Sequence, residues 1–279
     1  MKLYAFLLVL LVAADASTPR APVHYPAYVE GLPSMAGKTV AITGCSRGLG
    51  FVTAKTCAEK GARVMMLNRE SPRAREALAE VAAAATGSSP PEHVVCDLLD
   101  LASVRAAAKI INGLETLDVL CLNGGIMFAA DLPSQDGFDQ TMATNLLSHF
   151  ALASLLMPLL ETTAAARGEA RVVSMSSGSG FYGAPFDAKY YEPGSGGNLG
   201  GEEGAGGRYH QSKLGQFLFT AEFDKRLRAR GSRVKALACA RPAYVGPTCS
   251  WTSRSTSLTA GNRWTSRRCR RSRTGRSGS

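Results

Sequence analysis

The stretch KTVAITGCSRGLG, Lys38 to Gly50, decides the fold. Its first six residues suit a buried strand, and GLGFVTAKTCAEK, beginning at Gly48, then reads as a helix. Glycines at 44, 48 and 50 stand at the join. They permit a tight turn and close backbone approach, leaving loop amides and the helix N-terminus aimed at a pyrophosphate. A glycine-rich turn with no ligand is the alternative, and the rest of the chain must choose between them.

Outward from this turn, short apolar strands alternate with helical segments. ARVMML, EHVVC, LDVLCL, ARVVSM and RVKALAC read as five more strands. PRAREALAEVAAAA, LASVRAAAKIING, the long GFDQTMATNLLSHFALASLLMPLLETTAAA and the segment from Tyr209 read as helices. Strict alternation implies a parallel sheet covered on both faces, a single doubly wound parallel-sheet α/β (Rossmann) domain. Ligands of such sheets lie at the carboxyl ends of the strands. A glycine-dense loop over residues 178–206 breaks the rhythm, and no clear helix and strand come after Ala240.

Composition bounds the class. With 279 residues, 45% hydrophobic and 19% charged, the chain can bury one sizeable core and is not disordered as a whole. Residues 1–16 carry one lysine, an apolar run and Ala14-Asp15-Ala16, and read as a signal peptide into the secretory pathway; an uncleaved anchor in the endoplasmic reticulum membrane is the weaker alternative. No other segment reads as a membrane span. Seven cysteines form an odd, scattered set that argues against a disulfide framework, and Cys45, Cys57, Cys96 and Cys121, standing singly in or next to the expected strands and helices, read as buried thiols. The endoplasmic reticulum, or an organelle reached through it such as a plastid, would reconcile free thiols with export. The formal charge of +10 is concentrated in eight arginines between Ser250 and Ser279, where no acidic residue stands. That run lacks a folded scaffold or reading motif, so a disordered tail is expected and no specific nucleic acid partner. The expected organisation is a signal peptide over 1–16, a leader or linker over 17–37, the domain over 38–248 and an Arg/Ser-rich tail over 249–279.

The segment YHQSK places Tyr209 four residues ahead of Lys213, one helical turn apart on one face. A free phenol, with a pKa near 10, exchanges protons poorly at neutrality, and an adjacent cation stabilises its phenolate. Of the eight tyrosines only Tyr209 has a lysine at that spacing. A partly buried aromatic beside a solvated lysine is the plainer reading.

Taken in order, TGCSRGLG, Asn123-Gly124-Gly125 after the fourth strand, and YHQSK resemble the short-chain dehydrogenase/reductase family from Lys38 to about Thr248. MATNLLSHFAL and YHQSKLGQFLF look most like its retinol-dehydrogenase-like and protochlorophyllide-reductase-like members. The resemblance implies hydride transfer between a nicotinamide and a carbonyl or alcohol, with no metal site. Tyr209 would be the general acid/base and Lys213 would tune it and bond the nicotinamide ribose. Ser177, after the fifth strand, would bond the substrate oxygen, with Ser176 and Ser179 as competitors. Asn145 would serve a water-linked proton relay, with a satisfied structural asparagine as the alternative. The turn residues Gly44, Ser46, Arg47, Gly48, Leu49 and Gly50 would bind the cofactor. So would Asp97 and Leu98 near the adenine, Asn123, Gly124 and Gly125, and Pro242 after the sixth strand. An NAD site usually ends its second strand in a carboxylate, whereas Arg69 stands here with Arg47 in the turn. NADP(H) is therefore expected over NAD(H); a solvated surface charge is the alternative for either arginine.

The resemblance weakens at the end. In ARPAYVGPTC, Ala243 replaces a family glycine and Thr248 stands one position late, and the residues beyond Thr248 read like sequence outside the fold, as from a shifted reading frame. The expectation is a fold lacking its substrate lid and one sheet edge. Two readings stand: an NADP(H)-dependent oxidoreductase acting on a small apolar substrate, or a non-catalytic nucleotide-binding or truncated product of the same fold. A homo-oligomer stays open.

Overall fold

The computed structural model describes residues 25–181 and 183–241. The expected signal peptide, Pro242 and the arginine-rich tail lie outside them. Six strands, β1 (Thr39–Thr43), β2 (Arg63–Asn68), β3 (Glu92–Val95), β4 (Val119–Leu122), β5 (Ala170–Ser177) and β6 (Val234–Arg241), pair in parallel in the order β3-β2-β1-β4-β5-β6. The order reverses between β1 and β4, and in a doubly wound sheet that reversal opens a crevice at the carboxyl ends.

Period-two alternation divides the core. Val40 and Ile42 of β1 and Val64 and Met66 of β2 pack with Ala54 and Cys57 of α2 (Gly48–Glu59) and Ala77 and Val81 of α3 (Pro72–Ala84). On the other face Ala41, Met65, Leu120 and Val172 meet Val104 and Ile111 of α4 (Leu101–Asn112). Leu152, Leu156 and Leu160 of α5 (Gln140–Arg167) and Leu227 of α6 (Ala205–Ala229) complete that layer. Ahead of β1, a short α1 (Tyr25–Glu30) brings Tyr28 and Val29 against the first cluster, where Leu32 and Met35 are buried. Part of the expected linker thus packs on the domain.

Local signals explain where the helices begin. Ser71 caps α3 by accepting from Ala74 N at 3.1 Å, with Pro72 next, and Asp100 caps α4 by accepting from Ala102 N at 2.8 Å. Two expectations need correction. Helix α6 starts at Ala205 rather than Tyr209, because Gly206 and Gly207 join its first turn, so both Tyr209 and Lys213 lie well inside it. Helix α5 is long and apolar enough to cross a membrane, contrary to the expectation that nothing beyond the leader is. Its apolar residues are largely buried inside the domain, the property of a core helix. Among the described cysteines, Cys45, Cys57, Cys96 and Cys121 are buried thiols and Cys239 is half-buried.

At the amino-terminal edge of the sheet, buried Asp118 accepts from Thr39 N at 2.9 Å, Lys38 Nζ at 3.0 Å and Arg167 Nη1 at 2.8 Å, tying β1, β4 and the end of α5 together. Hydrogen bonds to charged groups contribute about 1.5–3 kcal/mol each, and both cations here are partly solvated. Asp118→Ala should cost roughly 2 kcal/mol, read as a lowered urea midpoint at unchanged slope. Asp118→Asn should recover part of it.

Candidate active site

Gly44 and Gly48 both hold positive φ, 66° and 60°, which L side chains resist. A Cβ on Gly44 would stand 2.6 Å from Gly124 Cα, and one on Gly50 would stand 2.4 Å from both Asn123 Nδ2 and Gly44 O. The β1 turn and the β4 turn therefore touch backbone to backbone. Nothing lies within 4 Å of a Cβ built on Gly48, so the turn faces open space there. Helix α2 has no side-chain cap, which leaves its first amides and positive end free for an anion.

Thr43, the last residue of β1, binds these turns. Its hydroxyl oxygen accepts from Asn123 N and Gly124 N, both at 2.9 Å, while Asn123 Nδ2 donates to Thr43 O at 3.0 Å and Gly44 O at 3.1 Å. His149 of α5 lies on the far side, with Nε2 2.9 Å from the same hydroxyl and Nδ1 3.1 Å from Asn145 O. A carbonyl only accepts, so Nδ1 carries the proton and Nε2 accepts from Thr43. Asn68 at the end of β2 accepts from Cys45 N through Oδ1 at 2.7 Å, fixing the turn from its other flank. Neither His149 nor Asn68 was singled out from sequence.

A cleft of about 780 Å³ opens at this end of the sheet. Gly44, Ser46, Arg47, Arg69, Asp97, Leu98, Gly124 and Gly125 line it together. Gly48, Leu49, Gly50 and Asn123 build the turn beside it. Asp97 accepts from Leu99 N at 2.9 Å, and the helix cap that competed for it belongs to Asp100. Glu70 pairs with Arg75 and, at 3.5 Å, with His93. Exposed Arg47 and Arg69 have no ion-pair partner among the described residues.

Gly125 links this cleft to the Tyr/Lys pair: a Cβ there would lie 3.2 Å from Asn145 Oδ1 and 3.6 Å from Lys213 Nζ. Lys213 is buried, with Nζ 5.7 Å from the Tyr209 ring centroid, and donates to Met175 O at 2.9 Å and Gln216 Oε1 at 2.8 Å. Desolvation lowers its pKa to about 8. The Tyr209 hydroxyl has no protein partner among the described residues and is free for a ligand. Asn145 sits in a π-helical turn over Ala143–Leu147, bracketing Ile126 through Oδ1 to N (2.8 Å) and Nδ2 to O (3.0 Å), and reaches Ser212 Oγ at 2.8 Å. Of the three serines, Ser176 is buried and donates to Lys213 O at 3.0 Å, and the Ser179 carbonyl meets His210 Nδ1 at 2.5 Å. Ser177 is half-buried and accepts from Ser179 N at 3.2 Å, and its hydroxyl donates to no partner among the described residues.

Sequence reasoning also missed Arg208. Fully buried, it donates to Leu199 O (3.0 Å), Gly201 O (2.7 Å) and Ala129 O (2.8 Å) and lies near Asp131 and Asp139. It pins the glycine-dense loop to the segment after β4, immediately ahead of Tyr209.

A glycine-lined crevice at the switch point of a doubly wound parallel sheet defines the dinucleotide-binding class of α/β fold. The short chain dehydrogenase family matches residues 38–191, more than half of the chain. The chain belongs to that family of oxidoreductases. Human retinol dehydrogenase 13 is 33% identical over 220 residues, covering 75% of this chain and 62% of the relative, so the chain matches less than two thirds of that protein. Among solved structures, an uncharacterized protein from Mycobacterium paratuberculosis is 36% identical with a TM-score of 0.63, covering 77% of this chain and 72% of that one. The Pseudomonas aeruginosa RhlG/NADP active-site complex is 25% identical with a TM-score of 0.59, covering 74% and 73%.

Burial holds the His149 pKa down to about 4. An unfolded histidine takes its proton near 6.5, so between pH 6.5 and 4 the unfolded chain binds more protons and stability falls as the pH is lowered. His149 should contribute about 3 kcal/mol to that fall. Urea unfolding at pH 7 and 4.5 should show a steep loss that shrinks by most of this amount in His149→Gln; an unchanged pH slope would contradict the burial of a neutral imidazole.

Proposed function

We propose that the chain is an NADP(H)-dependent oxidoreductase that moves hydride between the nicotinamide and a carbonyl or alcohol of a small apolar substrate, with Tyr209 as general acid/base. The observation that carries this reading is the Tyr209/Lys213 pair on one face of α6, with the ammonium buried beside the ring and next to Gly125 of the dinucleotide crevice. The crevice suits the cofactor: Gly48 leaves a space that a Cβ would enter, and the α2 amides would hold the pyrophosphate. Arg47 and Arg69 would hold a 2′-phosphate, Asp97 and Leu98 the adenine, and Lys213 the nicotinamide ribose. The bound nicotinamide supplies the hydride chemistry.

The protein's own residues manage the substrate oxygen. In reduction the Tyr209 hydroxyl gives its proton to the developing alkoxide, and in oxidation the phenolate takes it back. Ser177 donates to the same oxygen and holds it in place. The Lys213 ammonium stabilises the phenolate between these states. Asn145 and Lys213 flank Gly125, where a relay could return a proton to the pair. Support for NADP(H) comes from the two unpaired arginines, from β2 ending in Asn68 with its side chain committed to Cys45, and from the NADP complex of the Pseudomonas relative. Support for an apolar substrate comes from the human relative's name, a retinol dehydrogenase.

Two measurements test the reading. Fluorescence titration should show tighter binding of NADPH than of NADH, and Arg69→Asp should weaken NADPH selectively, because a cation facing phosphate becomes a repelling anion. Equal affinity for the two cofactors would overturn the preference. Tyr209→Phe should reduce kcat on the order of 10²-fold or more while NADPH binding holds within about twofold, since only the hydroxyl is removed. Undiminished turnover would remove Tyr209 from the mechanism.

A further inference from the structure

Phe128 is the one non-glycine residue among the described residues with positive φ, 52°. The residue is 65% exposed. Large side chains avoid that backbone region, and Met127 and Leu132 on the same segment are exposed too, so the backbone and the clustered apolar surface both need a cause. The surrounding chain supplies part of it. On one side Asn145 brackets both backbone groups of Ile126. On the other, Arg208 Nη2 donates to Ala129 O at 2.8 Å and Gln140 Nε2 donates to Ala130 O at 2.6 Å. Both shoulders are pinned by polar side chains while the tip, Met127-Phe128, stands out in solvent. The fold therefore enforces the strained tip.

The ring's position shows its use. Its centroid is 6.2 Å from that of Tyr209, tilted by 38°, and a Cβ built on Gly206 would lie 3.9 Å from Phe128 Cε1. A Cβ at that glycine, one helical turn before Tyr209, would be in ordinary van der Waals contact with the ring, so the ring lies close over this face of α6. Met127 and Leu132 add exposed apolar surface on the same segment, which leads directly from Gly125. An exposed aromatic wall and an unpaired phenol adjoin one another.

We propose that Phe128 is a specificity-determining residue: its ring is the wall against which the aliphatic chain of an apolar alcohol or aldehyde lies while the substrate oxygen meets Tyr209. This rests on the oxidoreductase reading above. The wall selects for chain length, because a short substrate reaches Tyr209 without touching the ring, whereas a long one must bury methylenes against it. The strained backbone serves to hold the ring over the α6 face.

Binding can be read without turnover by using Tyr209→Phe chain loaded with NADP⁺ and titrating 1-butanol and 1-decanol by calorimetry. Adding Phe128→Gly, which suits positive φ and should not harm folding, is expected to weaken decanol about tenfold, equivalent to about 1.4 kcal/mol, and butanol less than twofold. Phe128→Leu, which keeps an apolar group, should fall between. NADP⁺ affinity should not change in either variant. Equal losses for both alcohols, no loss for decanol, or no decanol binding by the Phe128 chain would each overturn the proposal. Turnover by the unmutated chain and by Tyr209→Phe is measured alongside. Phe128-dependent decanol binding with turnover indifferent to Tyr209 would sink the catalytic reading and leave the wall standing.

Discussion

One hydroxyl holds the cofactor end of the sheet together. Thr43 Oγ1 accepts two backbone amides from the β4 turn and gives its proton to His149, so β1, β4 and α5 converge on a single buried oxygen. A hydroxyl offers one proton and two lone pairs, and all three are used. A valine of the same shape would leave two amides without this acceptor, and the buried one, Gly124 N, would alone cost about 1–3 kcal/mol. The crevice depends on this convergence, because Gly44 and Gly124 can approach within contact only while the two turns are held edge to edge. His149 then carries the constraint to the Asn145 carbonyl, and the Asn145 side chain carries it to Ile126 and Ser212. The nucleotide turn and the Tyr/Lys helix are thereby joined through α5 and its π-helical turn.

Sheet topology and the glycine turn were legible because they depend on local pattern. Six apolar runs at regular intervals became six parallel strands, and glycines 44, 48 and 50 stand where a positive φ or a close backbone contact disfavours any Cβ. The Tyr/Lys spacing was legible for the same reason, since i and i+4 share a helix face wherever the helix begins. The start of α6 was not, because Gly206 and Gly207 are poor helix formers that the packed loop overrides. Asn68, His149 and Arg208 escaped notice because each has a decisive partner far along the chain, Cys45 at 23 residues, Thr43 at 106 and Ala129 at 79. Asn68 is the last residue of β2, just before Arg69. Its amide faces inward to Cys45, and the charge that could greet a ligand belongs to Arg69.

The glycine-dense segment has an order that composition does not reveal. Residues 178–206 read as a glycine-dense loop, and within it Gly197, Gly200 and Gly201 use positive φ to turn amides inward, where Asp131 accepts from Gly197 N, Leu199 N and Gly201 N at 2.7–2.9 Å. The loop folds around an internal anion in the way that other glycine-rich nests fold around phosphate. It can therefore separate Ser177 from Tyr209 by 32 residues without loosening either end.

Arg208 completes that arrangement, and its bonding shows what kind of contact it is. Two carboxylates, Asp131 and Asp139, surround one guanidinium, but the separations are 3.6 and 3.4 Å, and Arg208 Nε and Asp139 Oδ2 face each other without a hydrogen bond. Burial raises the Asp139 pKa, with the Asp131 charge adding to the effect and Arg208 and the helix amides opposing it. The short bonds go instead to three carbonyls on two segments. Arg208 therefore acts chiefly as a planar wedge that satisfies backbone oxygens, with the carboxylates setting the sign of the site. A lysine would bring the same charge but no rigid fork, and its three donors could not span carbonyls at Ala129, Leu199 and Gly201 from one stem. The residue before Tyr209 is in this way chosen by geometry, and the tyrosine inherits its place from a fully buried arginine.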